Sequence, residues 1–149
     1  MVEAFVCVNR HVDYPQIIGK SRSNGIAWSL AINSSGNLRA RFDTHTPPDT
    51  TGNNQTFESQ AKLTVGQWHH VALTYDYSAK TVRLYKDYVK VLESTTTNPL
   101  WLDNGDYRIG AGDKAFDGWI DEVRVSSRVL EPEEFLYVVP LEGTLLRLE

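Results

Sequence analysis

Two carboxylates are the minimum equipment for cleaving a glycosidic bond, and Asp117, Asp121 and Glu122 lie close together in this chain. Retention needs the two carboxyl groups ~5 Å apart and inversion ~6.5–9.5 Å apart. Asp121 and Glu122 are adjacent in an alternating segment, so they face opposite ways. Positions 119, 123 and 125 on the Asp121 side are Trp, Val and Val. No second acid shares that side, and the expectation is a chain that is not an enzyme.

Other groups invite metal, thiol or sugar chemistry. His69 and His70 are adjacent, and neighbours on a strand point apart, so they cannot chelate one ion together; packing and cross-strand hydrogen bonding is their expected role. Asp103 and Asp106 in one turn, with Asp113 and Asp117 in the next loop, form an oxygen-rich cluster. Calcium takes six to eight oxygens, but Asn, Gly and Asp also make turns, and both readings stay open. Cys7, the single cysteine, excludes an internal disulfide and a multi-cysteine zinc site. It alternates with Phe5 and Asn9 and reads as a buried thiol. Trp and Tyr faces stack on sugar rings while polar neighbours take the hydroxyls. Tyr77, Tyr88 and Trp101 fall in turns or loops and are the candidate ligand-binding residues, whereas Trp28 shares an apolar face with Leu30 and Ile32.

The elements that must position these groups are strands. Ala4, Val6 and Val8 alternate with Phe5, Cys7 and Asn9; Leu38, Ala40 and Phe42 alternate with Arg39, Arg41 and Asp43; Val71, Leu73 and Tyr75 alternate with Ala72, Thr74 and Asp76. Turn chemistry separates them at 23–25, 33–37, 76–80 and 103–106, and the longest loop is the proline-broken 45–54. One helical signal, with proline and acids at a helix start, covers 131–136. About ten short strands and one helical turn predict an all-β, two-sheet antiparallel β-sandwich or jelly roll. Its predicted core holds Val6, Val71, Leu73, Leu84, Ile109, Val123 and Val125. At 149 residues the chain fits one domain, 1–149.

Charge narrows the partners. Fifteen Lys and Arg against 19 Asp and Glu leave a net charge of −4, which argues against nucleic acid. No apolar run approaches the ~20 residues that span a bilayer, so no membrane insertion is expected. No basic stretch followed by a long apolar run opens the chain, so no signal peptide is read here.

The blocks at 66–76, 81–87, 107–112 and 116–125, closed by 130–135, resemble the laminin-G-like, concanavalin-A-like lectin/glucanase jelly-roll superfamily. Gly66, Trp68, His69 and His70 carry the first block; Gly118, Ile120, Asp121, Glu122 and Val123 carry the last. The resemblance runs from about Phe5 to Leu136. It implies two stacked sheets of about six or seven strands each, core roles for Trp68 and Trp119, and a structural calcium near Asp121. Two departures stand out. The family's usual N-terminal strand pair is lacking, and the strand-like tail 138–149 is expected to pair at the open edge, in the same chain or a neighbour. Asp87-Tyr88 stands where the family favours Asp-Gly, so a ring sits at a hairpin tip that wants positive φ.

The function implied is a non-catalytic binding module for carbohydrate, a glycan or glycoprotein, in an extracellular or surface-exposed setting. The alternative is a structural subunit of a surface layer, filament or virion that self-assembles through the tail. A glycoside hydrolase or lyase is less favoured.

Overall fold

The computed structural model describes residues 1–22, 25–44, 53–100, 105–111 and 115–137. The period-two segments form β1 (Val2–Val8), β2 (Gln16–Arg22), β3 (Gly25–Ile32), β4 (Asn37–Thr44), β5 (Asn53–Lys62), β6 (Trp68–Asp76), β7 (Thr81–Lys86), β8 (Val89–Thr95), β9 (Tyr107–Ile109) and β10 (Gly118–Val125). They pair into two antiparallel sheets, ordered β10-β1-β6-β7-β8 and β5-β4-β3-β2-β9. The all-β sandwich is as expected. Among the described residues each sheet has five strands, where the resemblance implied six or seven. The helical signal is a single 3-10 turn, Pro132–Glu134. The tail 138–149 and its expected edge pairing lie outside the described residues.

The inner faces make the core. Ala4, Val6, Val71, Leu73, Val82 and Leu84 of one sheet meet Ile18, Leu30, Ile32, Leu38, Ala40 and Phe42 of the other. Of the predicted core, Val6, Val71, Leu73 and Leu84 are buried and Val123 packs against them. Ile109 and Val125 are not core: they are 54% and 47% exposed. Both stand on β9 and β10, which are edge strands among the described residues.

The outer face of the β10-β1-β6 strands reads in rows across the sheet. Trp119, Cys7 and Trp68 are paired; so are Asp121, Phe5 and His70; so are Arg124, Glu3 and Ala72. A bulge between the last two rows holds Glu122 at φ 49, in the left-handed region. Leu130 and Phe135 pack over Ala72 and Tyr85 and seal the third row. Glu3 is fully buried there. Its carboxylate accepts from His70 Nε2 at 2.7 Å, from the Leu136 amide at 3.0 Å and from the Arg124 guanidinium. Burial pushes the Glu3 carboxyl up, but the donors from His70, Leu136 and Arg124 outweigh it and hold the group below the ordinary value of 4.5.

A carboxyl depressed in the folded state stabilises above its unfolded value, and that contribution is lost as pH falls through the folded value. Glu3→Ala is therefore expected to cost about 3 kcal/mol or more at neutral pH, since it strands buried donors. Urea unfolding near pH 7 and again near pH 3 checks this. The gap between variant and wild type should shrink in acid, and a gap independent of pH would contradict it.

Candidate functional site

At one end of the sandwich the two sheets part to leave a cleft of about 300 Å³. Its floor is apolar: Val2, Leu73, Phe42 and Leu100. Its walls are aromatic. Trp28 meets Tyr107 edge-on at 6.0 Å, Phe42 tilts against Tyr75 at 5.2 Å, and Tyr77 stands edge-on to Tyr75 at 6.3 Å. Strand geometry sets this up. Trp28 is near the start of β3, Tyr75 near the end of β6 and Tyr107 begins β9, so inward-facing positions at one end converge.

Polar groups ring the opening. The Tyr75 hydroxyl is committed, accepting the Leu100 amide at 3.1 Å and pairing with Thr96 Oγ1 at 3.1 Å. Tyr77 and Tyr107 are 54% and 55% exposed, and the Lys20 amine lies 5.6 Å from the Tyr107 ring centre. Ser126 and Ser127, just beyond β10, complete the rim. Tyr77 is thus the expected ligand-binding residue that lines the cleft. Tyr107, Ser126 and Ser127 were not legible as site residues, and Trp28, read as core, forms a wall. They come from distant parts of the chain, and no local motif marks them.

Tyr88 is elsewhere. Asp87 and Tyr88 have φ 49 and 68, the two-residue hairpin turn with both centres left-handed. The ring is not displayed at the tip. It stacks on His70 at 4.5 Å and on Tyr137 at 4.8 Å, and its hydroxyl donates to the Leu136 carbonyl at 3.1 Å. Packing of the closing segment accounts for a tyrosine in this turn. Trp101 lies outside the described residues.

The histidine pair behaves as the alternation demands. His69 Nε2 accepts the Thr64 amide at 3.0 Å, so Nδ1 carries the proton toward Asp87 Oδ2 at 2.9 Å. His70 turns the other way, to Glu3. Trp68 and Trp119, expected in the core, are 53% and 58% exposed. Pairing opposite Cys7 turns all three outward.

Of the four acids expected at a calcium site, the structure describes Asp106 and Asp121. Asp106 precedes β9 in one sheet and Asp121 stands on β10 of the other. Asp121 Oδ1 accepts the Glu122 amide at 2.8 Å. Arg10 and Asn9 donate to Asp117 and hold its carboxyl below the usual range. Among the described residues no group of three or more His, Cys, Asp or Glu converges on a metal position. Asp103 and Asp113 lie outside the described residues. Among the same residues no helix is long and apolar enough to cross a membrane.

The sequence matches a known superfamily. The family model of the concanavalin A-like lectin/glucanases superfamily matches residues 2–135, and the chain belongs to that superfamily. Among curated protein sequences none matches it. Solved structures share the fold. One is a protein of Bacteroides ovatus assigned as carbohydrate binding, at 24% identity and TM-score 0.69; the match covers 89% of this chain but only 38% of that one. Another is the CBM40 of Ruminococcus gnavus IT-sialidase bound to α2,3-sialyllactose, at 14% identity and TM-score 0.72, covering 89% of this chain and 78% of that one. A third is domain 4 of AbnA, a GH43 extracellular arabinanase of Geobacillus stearothermophilus, in complex with arabinotriose, at 19% identity and TM-score 0.64, covering 89% and 62%.

The stack on Tyr88 carries a testable balance. A left-handed tyrosine costs roughly 1–2 kcal/mol. Two ring stacks at ~0.5–1.5 kcal/mol each, with a hydrogen bond worth ~1, outweigh that. Tyr88→Gly is expected to lower the melting temperature although glycine relaxes the turn. Thermal unfolding by circular dichroism measures it, and a raised melting temperature would mean that turn strain dominates.

Proposed function

We propose that this chain is a non-catalytic carbohydrate-binding module that takes the end of a glycan into the cleft between its sheets. The observation that carries the reading is the combination of an apolar floor with Trp28, Tyr77 and Tyr107 on the walls. Sugar C–H faces stack on such rings, and Ser126, Ser127 and the tyrosine hydroxyls suit the sugar's own hydroxyls. A cleft of about 300 Å³ is at the small end for ligand sites and suits one or two sugar rings. Fold neighbours crystallised with sialyllactose and with arabinotriose support the same reading.

The placement of the acids supports the non-catalytic reading. Asp121 and Glu122 are exposed on β10 and do not line the cleft, and the Asp121 carboxylate is engaged by a backbone amide. By the same analogy the module serves a larger extracellular or surface-exposed protein, with a glycan or glycoprotein as partner.

A glycan array followed by titration calorimetry tests this. Tyr77→Ala and Tyr107→Ala should each weaken the best array ligand about tenfold, the ~1–2 kcal/mol of one lost aromatic anchor. Both side chains are half exposed, so the fold should be unaffected. Unchanged affinity in both variants would remove the cleft from the reading.

A further inference from the structure

We propose that the outer face of β10, β1 and β6 is a second carbohydrate site, a flat platform for an extended neutral polysaccharide, with Trp68 and Trp119 as its two stacking rings. It shares the carbohydrate reading but rests on different residues from the cleft. Trp68 and Trp119 are both direct partners of Cys7 across β1. Strands lie ~4.8 Å apart, so the two tryptophans rise from backbones roughly 10 Å apart, on the same side. Cys7 between them is small and only 5% exposed. Trp68 and Trp119 are 53% and 58% exposed. Unlike His70 one row away, which Tyr88 and Phe135 cover, neither tryptophan meets another ring among the described residues.

The backbone is built to hold this row. Gly118 sits at φ 154, and a Cβ there would fall 2.0 Å from the Cys7 carbonyl oxygen. Only glycine lets β10 approach β1 so closely beside Trp119. Neutral sugars present apolar C–H faces to such rings, and two rings two strands apart can engage alternate residues of one extended chain lying across the strands. Gln67 beside Trp68, and Asp121 in the next row, are exposed hydrogen-bonding groups for the hydroxyls. Asp121 and Glu122 add carboxylates beside Trp119, while Asp117 is paired with Arg10, and this charge disfavours an anionic polymer. A second copy of the chain is a poor occupant. Aromatic side chains bury ~150–250 Å² each, so two half-exposed rings present far less than the ~800 Å² per partner of a stable interface.

The test is affinity electrophoresis through gels holding hydroxyethylcellulose, arabinoxylan or glucomannan, with tryptophan emission followed in solution. At least one polymer should retard the wild type and shift its emission to shorter wavelength. Trp68→Ala and Trp119→Ala should each weaken retardation about tenfold or more, the loss of one anchor, while Trp68→Tyr and Trp119→Tyr retain most of it and control for folding. Tyr77→Ala, in the cleft, should be retarded like wild type. No retardation by any of the three polymers overturns the platform. So does retardation that survives in the Trp68→Ala/Trp119→Ala double variant, or a concentration-dependent size increase that the double variant abolishes. Polymer binding lost only with Tyr77 would return it to the cleft. Short glycans bound in the cleft without any polymer binding would sink this inference and leave the cleft reading standing.

Discussion

One buried carboxylate organises this molecule. Glu3 on β1 is met by His70 from β6, Arg124 from β10 and the amide of Leu136. Taking an ion out of water costs several kcal/mol unless its lone pairs are filled, and here donors from three separate segments fill them. The register of β1 is thereby coupled to both neighbours, because a one-residue slip would turn Glu3 into the apolar core. The same contact closes the sandwich behind the 3-10 turn, where Arg124 also donates to the Glu134 carbonyl.

That closure decides which part of the outer face stays exposed. Leu130 and Phe135 seal one half of the outer face over Ala72 and Tyr85 and leave the Trp119, Cys7 and Trp68 row open. Arg124 is also one residue from Val125, and Val125, Ser126 and Ser127 form part of the cleft rim. A salt bridge chosen by packing thus sets the position of residues on both candidate surfaces.

Period-two alternation made the strands, the sandwich and most of the core legible, since Val6, Val71, Leu73 and Leu84 carry the pattern themselves. The failures have a common cause. Trp68 and Trp119 read as core because large apolar side chains usually are, but among the described residues their side of the sheet is covered where residues 130–136 lie, a contact more than fifty residues away from Trp68 in sequence. Ile109 alternates correctly and yet is exposed, because edge position is a property of topology. The left-handed cost at Tyr88 was visible in the hairpin chemistry, while its compensation by His70 and Tyr137 was not. At Glu122 the bulge resets the alternation, so the parity of Trp119 and Asp121 does not carry on to Val123 and Val125. The cleft was legible only at Tyr77, because its other walls are assembled from β3, β9 and the segment after β10.

The two surfaces sit at opposite ends of one strand. Val2 pairs with Val125 at the cleft, and Cys7 pairs with Trp119 at the platform. Five residues at ~3.4 Å each separate them by roughly 17 Å. The cleft opens between the sheets and the platform faces away from them, so their lining residues do not overlap. Under the proposed reading the two sites share no residue, so their affinities would combine by effective concentration. β1 carries both ends and is tied to its neighbours at Glu3 between them, so on the proposed reading one strand would hold the terminus and the length of a polymer at a set spacing.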